Sequence, residues 1–166
     1  MRFINLYICI FLYVFLVNNI QATSYNSYGQ TGIINLPSAE IHNEQSLFFT
    51  FSKTEYTKLG VITVTPFEWM EASYFYYRPD DLYWGAAKGL YLDKGFNVKF
   101  LYKPRSILMP NFALGLDDFA GTGQFTREYI AATYNFNRLK LTSGIGWGKY
   151  VGESSIKNPF SYLNNR

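Results

Sequence analysis

The residues that could carry out catalysis are few and far apart in the sequence. His42 is the single histidine and Cys9 the single cysteine of the 166 residues, so neither a hydrolytic triad nor a clustered metal site has enough members. We interpret His42 as a solvated loop residue. The acid pairs Asp80-Asp81 and Asp117-Asp118 have the residue types for acid–base chemistry or a calcium site. Adjacent acids in turns are more often simply solvated, and we adopt that interpretation.

A glycine-rich stretch at 144–149 invites comparison with phosphate-binding loops. Its spacing matches neither common nucleotide signature, and no helical pattern follows it. The chain carries 15 Lys and Arg against 12 Asp and Glu, a formal charge of +3, and no basic run. We therefore expect no nucleotide and no nucleic-acid partner. The sequence also predicts no cofactor, no metal and no enzymatic activity.

Charged residues that alternate with apolar ones are more informative. Glu71, Lys99, Asp117, Arg127 and Lys140 lie in stretches with a period of two, which is typical of β-strands with two unlike faces. A Lys or Arg facing lipid costs roughly 2–4 kcal/mol at the bilayer midplane. In a membrane barrel these five polar side chains are therefore expected to face the lumen. The alternating apolar positions would face lipid: Met70, Ala72, Val98, Phe100, Ile130, Ala132, Leu141 and Ile145.

The same alternation divides the chain into seven or eight strands joined by short turns. We expect Pro66 to end the second strand, because proline cannot donate to a ladder, and Asp93-Lys94-Gly95 to form a tight turn. The predicted fold class is all-β, an antiparallel transmembrane β-barrel whose completeness the sequence leaves open. The expected strands are 46–52, 59–65, 68–77, 86–92, 96–102, 111–117, 127–136 and 139–147.

Aromatic residues make up 20% of the chain, with 15 Tyr and 15 Phe, although the mean hydropathy is slightly negative. Barrels that span membranes concentrate aromatic side chains at both interfaces. A platform for stacking sugar rings is the alternative, in which Trp69, Trp84 or Trp147 would bind carbohydrate. The candidate interface aromatics are Trp69, Tyr74, Tyr76, Phe100, Tyr102, Tyr134 and Trp147.

The N-terminus has the order of a secretory signal peptide. Arg2 precedes an apolar run from Leu6 to Val17, which at twelve residues is too short to span a bilayer. We predict cleavage after Ala22; an uncleaved membrane anchor is the alternative. The predicted division is a signal peptide at 1–22, a β-barrel domain at 23–150, and a C-terminal tail or the start of a truncated continuation at 151–166.

Several motifs, in the same order, resemble those of the YjbH family of outer-membrane proteins. The first is a Gly-x-x-Gly pattern followed by Pro-x-Ala, and another is an Asp-x-x-Gly-Thr-Gly loop. Together they cover most of the chain after the signal. The matching segments are 29–39, 65–73, 93–99, 110–118 with 121–123, 129–136 and 141–148.

This resemblance implies an outer-membrane barrel that serves exopolysaccharide or capsule biosynthesis and secretion. Its partners would be outer-membrane lipid, exopolysaccharide and other polysaccharide-secretion proteins. Family members are considerably longer than this chain, and no catalytic residues carry over from them. Two other functions stay open: a generic small porin-like or structural barrel, and a soluble secreted β-sandwich that binds carbohydrate through surface aromatics.

Overall fold

The computed structural model describes residues 23–80, 91–136, 139–149, 151, 156–159 and 161. The predicted signal peptide, Trp84, residues 86–90 of one expected strand and most of the predicted tail lie outside them. No helix within the described ranges is long and apolar enough to cross a membrane. The strands are β1 (Gly32–Ile33), β2 (Leu36–Pro37), β3 (Ser46–Lys53), β4 (Thr57–Phe67), β5 (Met70–Pro79), β6 (Asp93–Tyr102), β7 (Asn111–Asp117), β8 (Arg127–Phe136) and β9 (Leu139–Trp147).

Strands β3 to β9 form one antiparallel sheet in which each strand pairs with the next along the chain. The predicted all-β, antiparallel fold is therefore confirmed. The predicted barrel is not closed within the described residues, because β3 and β9 are the two edges of the sheet. In this seven-stranded meander β3 and β9 run in the same direction, so any pairing between them would be parallel.

Two expected strand ends are wrong. Pro66 lies inside β4, at a register irregularity between Val64 and Phe67, where the missing N–H is tolerated because the ladder is already interrupted. Asp93-Lys94-Gly95 is not a turn but the start of β6, with Gly95 paired to Phe75. Glycine is required there by packing, since a Cβ atom would lie 2.7 Å from the Phe75 ring.

The sheet has two unlike faces. We call one the covered face, because its side chains are buried, and the other the open face, because its large apolar side chains are exposed. The covered face includes Val61, Thr63, Glu71, Ser73, Phe75, Asn97, Lys99, Asp117, Arg127, Tyr129, Ala131 and Thr133. The open face includes Leu47, Phe49, Phe51, Ile62, Tyr76, Phe96, Phe100, Ile130, Leu141 and Ile145.

Residues 24–42 lie across the covered face, and we call them the covering segment. Tyr28 packs against a cluster of Leu59, Val61 and Phe75. Farther along the segment, a second cluster joins Ala39 and Ile41 to side chains of three strands: Leu101, Ala113, Tyr129 and Ala131. The covering segment thus supplies the second layer that a sheet needs to bury one of its faces.

Close packing on the covered face predicts an asymmetry between two glycines. Gly115→Ala should lower the free energy of unfolding by about 1–3 kcal/mol through overpacking, because its Cβ would lie 2.0 Å from Cζ of Tyr129. Gly60→Ala is the matched control, since its Cβ would meet the Phe51 ring at an ordinary 3.6 Å. Denaturant unfolding of the two variants measures the difference. Equal stabilities would contradict this packing.

Candidate functional site: a buried polar layer

Four of the five polar residues predicted to face a lumen lie on the covered face of four neighbouring strands, β5 to β8. Glu71 lies opposite Lys99 in the β5–β6 pair, and Asp117 lies opposite Arg127 in the β7–β8 pair. The fifth, Lys140, is on the edge strand β9 and is exposed. Its Nζ lies 2.7 Å from Oε1 of Glu40 in the covering segment. The alternation thus brings four charges together as two neighbouring ion pairs.

The first ion pair is withdrawn from water. Nζ of Lys99 lies 3.0 Å from Oε1 of Glu71, and the two side chains are 1% and 2% exposed. A single residue, Thr31, satisfies both partners. Its backbone N–H donates to Oε1 of Glu71 at 3.0 Å, its hydroxyl donates to Oε2, and its carbonyl accepts from Nζ of Lys99 at 2.7 Å.

The second ion pair has the same design with a different residue of the covering segment. Nε of Arg127 donates to Oδ2 of Asp117 at 2.7 Å. The amide of Gln30 then bridges the pair: its Nε2 donates to Oδ1 of Asp117 at 2.5 Å, and its Oε1 accepts from Nη2 of Arg127 at 3.3 Å. A side-chain amide suits this position because it carries both a donor and an acceptor.

Further hydrogen bonds hold the covering segment at both ends. The Thr63 hydroxyl donates to the carbonyl of Gly29 at 2.5 Å, and the Ala39 N–H donates to the Thr133 hydroxyl at 2.9 Å. Gly29 has a φ of 75°, a left-handed conformation that favours glycine. A Cβ at Gly32 would lie 2.2 Å from a backbone carbonyl. The Gly-x-x-Gly motif therefore places Gln30 and Thr31 over the ion pairs.

Sequence reasoning missed Gln30 and Thr31 as partners of these charges. Neither residue type signals such a role, and the covering segment has too little alternation to predict strands. The one signal available was the pair of glycines that brackets them.

His42 is not a solvated loop residue, as the sequence suggested. Its ring stacks on Tyr25 with centroids 4.4 Å apart and contacts Phe48 at 4.7 Å. Burial lowers its pKa. Phe48 is the residue that interrupts the alternation of β3, and this cluster is the reason: it packs against the covering segment.

The candidate interface aromatics occupy three kinds of position: a turn, the open face and a buried site. Trp69 stacks between Phe67 and Phe100, with ring centroids 5.2 and 6.1 Å away. Tyr74, Tyr76, Phe100, Tyr102 and Tyr134 alternate with covered residues and lie on the open face. Trp147 differs, because it is buried and its Nε1 donates to the carbonyl of Ile156 at 3.0 Å. Trp69 lies in the β4–β5 turn and Trp147 is the last residue of β9, at the opposite end of the sheet. The two therefore do not form a common sugar platform.

Comparison with known proteins gives this architecture a context. Residues 24–166 match the family profile YjbH, described as exopolysaccharide biosynthesis protein YbjH. The chain belongs to the YjbH family. It is 28% identical over 149 residues to the "Uncharacterized lipoprotein YjbH" of Escherichia coli (strain K12), a match that covers 86% of this chain and 21% of that protein. The chain thus spans about a fifth of the length of this relative. No solved structure matches it.

The geometry predicts unequal effects for two lysines in ion pairs. Lys99→Met should lower the free energy of unfolding by about 3–5 kcal/mol, because it leaves Glu71 buried and unpaired. Lys58→Met should cost roughly 0–1 kcal/mol, since Lys58 is 42% exposed where it contacts Asp80. Urea unfolding of the two variants compares them. Similar losses for both would exclude a dominant role for the buried pair.

Proposed function

We propose that this YjbH-family chain is a non-catalytic outer-membrane component of exopolysaccharide or capsular polysaccharide biosynthesis and export. Its open face would contact lipid, and its covered face would form the interior of the membrane domain. The observation that carries the proposal is the contrast between the faces: buried charges on one, exposed large apolar side chains on the other. Contiguous apolar surface of this kind marks membrane or protein contacts.

The distribution of charge on the open face supports a membrane rather than water. Its charged residues all lie within two residues of a strand end, and all at the same end of the sheet. Between that end and the opposite turns the open face is uncharged. Along β5 the uncharged stretch from Met70 to Tyr76 spans roughly 20 Å at about 3.3 Å per residue. On a strand tilted as in outer-membrane barrels it would cover roughly 15 Å of their apolar band. The charged residues are Lys53, Lys58, Arg78, Lys94 and Glu128.

Aromatic side chains at the opposite end of the open face fit an interface with lipid headgroups. The Phe67–Trp69–Phe100 stack lies at the β4–β5 turn, and Tyr102 is exposed at the end of β6. Trp and Tyr are enriched at such interfaces because their rings are apolar and carry one polar group.

The covered face favours an assisting role over conduction. The covering segment occupies the middle of that face, where both ion pairs already have all their partners within the chain. A passing glycan would have to displace these contacts. The link to polysaccharide rests on the family description, and the name lipoprotein given to the relative fits an envelope location.

Membrane insertion predicts a strong response to charge on the open face. Ile62→Lys, in the middle of β4, should lower stability in a bilayer by roughly 2–4 kcal/mol, because the charge would face hydrocarbon. Leu108→Lys is the control: Leu108 is 83% exposed in the β6–β7 connection, and the change should have little effect. Folding titrations in lipid vesicles measure both.

The contrary result would be equal stability of the two variants in vesicles, with the wild-type protein recovered in a soluble periplasmic or culture fraction. That outcome would favour a secreted β-sandwich, since an exposed Lys in water costs little.

The export role has a separate test in cells. Deleting the gene should lower secreted polysaccharide, and complementation with wild type or Leu108→Lys should restore it, whereas Ile62→Lys should not. Polysaccharide in the culture medium is the measured quantity. Unchanged secretion after deletion would leave a generic outer-membrane barrel and remove the export role.

A further inference from the structure

Two buried carboxylates lie apart from the ion pairs, at the end of the sheet where β6 begins and β7 ends. Asp93 is the first residue of β6 and Asp118 follows the last residue of β7. They are 0% and 1% exposed. Oδ2 of Asp93 and Oδ1 of Asp118 have no hydrogen-bond partner, and neither residue forms an ion pair within the described part of the chain.

The loop 121–123 connects the two carboxylates. The Thr122 hydroxyl donates to Oδ1 of Asp93 at 2.8 Å. The preceding residue, Gly121, lies directly against Asp118, because a Cβ there would be 2.0 Å from Oδ1. Gly95 lies two residues after Asp93 in β6, and a Cβ there would be 2.4 Å from the same Oδ1 of Asp118. The unpartnered oxygen of Asp118 therefore lies against the backbone of two glycines: one precedes Thr122, which contacts Asp93, and the other follows Asp93 in β6.

The other oxygens of the two carboxylates are already fixed. Oδ1 of Asp93 also accepts the N–H of Lys94 at 2.8 Å, and Oδ2 of Asp118 accepts the N–H of Phe125 at 3.2 Å. Asp118 itself has a φ of 52°, and its N–H donates to Oδ1 of Asn97 at 2.9 Å. These contacts orient both side chains and leave one oxygen of each without a donor.

Burial of two neighbouring carboxylates without compensation is unfavourable. Burial raises the pKa of Asp118, and the charge of Asp93 raises it further, while the N–H groups of residues 123–125 act in the opposite direction. Buried charges in proteins are normally paired with an opposite charge or coordinated to a metal ion. A buried polar atom without a partner is a place where such an ion is expected.

We propose that Asp93 and Asp118 bind a divalent cation, Ca²⁺, through Oδ2 and Oδ1 respectively. The Thr122 hydroxyl, backbone carbonyls and water would supply further oxygens, because Ca²⁺ takes six to eight oxygen ligands in flexible geometry. No three His, Cys, Asp or Glu side chains of the described residues converge on one point, so the site depends on these two carboxylates. The sequence pair Asp117-Asp118 is thereby divided: Asp117 pairs with Arg127, and Asp118 with Asp93.

Thermal unfolding of the whole chain in detergent, in EDTA and in CaCl₂ at pH 7.5, tests the site. The Tm of the wild type should rise as CaCl₂ increases, because an ion that binds only the folded state stabilises it, and Mg²⁺ should raise it less. Terbium luminescence excited through tyrosine gives a binding signal independent of stability, since the Tyr91 hydroxyl donates to Thr122 at 3.4 Å.

Three variants complete the experiment. Asp118→Asn and Asp93→Asn should weaken Ca²⁺ binding at least tenfold, and Asp118→Asn should raise the Tm measured in EDTA, because it removes an uncompensated charge. Asp80→Asn is the control, since Asp80 pairs with Lys58 and Arg78, and it should keep the full calcium response. A wild-type Tm and terbium signal that do not respond to the ions, or a response that both site variants retain, would overturn the proposal.

Discussion

Four charged side chains lie on the central strands β5 to β8 where water does not reach them, and the covering segment is arranged around them. The effective penalty for burying an ion is several kcal/mol, and the attraction between partners offsets it only if every remaining donor and acceptor is satisfied. Pairing Glu71 with Lys99 and Asp117 with Arg127 supplies the attraction between opposite charges. Thr31 and Gln30 then satisfy the remaining donors and acceptors with neutral groups that add no further charge. The covering segment therefore has to lie in a single register on the sheet, with Thr31 over the first ion pair and Gln30 over the second.

Confining the paired charges to the covered face also explains the composition of the open face. A sheet that places its charges inside can present uncharged side chains outside, and the strands do so over all but their last residues at one end. In water that surface would be a liability for aggregation. In a bilayer it is the expected exterior, and the buried polar layer is its necessary counterpart.

Much of the sheet could be predicted from the sequence because period two is a local property. The alternation identified β3, β7, β8 and β9 almost to the residue, and it selected the charges that share a face. It could not identify which charge pairs with which, because that depends on register between strands.

Pro66 and Asp93-Lys94-Gly95 were misread because proline and glycine have uses other than turns: a bulge in the first case, close packing in the second. His42 was misread because its partners, Tyr25 and Phe48, come from different segments. The position of the covering segment could not be predicted from the sequence, because contacts with residues distant in the chain determine its conformation.

Those long-range contacts also determine at which stage of folding the covering segment can dock on the sheet. Gln30 and Arg127 are 97 residues apart in the chain, Ala39 and Thr133 94, and Glu40 and Lys140 100. Such distant contacts form slowly, since loop-closure entropy is lost before they form, whereas the strands of the sheet pair with their neighbours along the chain. The covering segment is synthesised before every strand it touches and has to wait for the last of them. Until it docks, the charged side chains of the covered face have no partners from the covering segment and remain hydrated, so the buried polar layer is completed only after the last of those strands has formed.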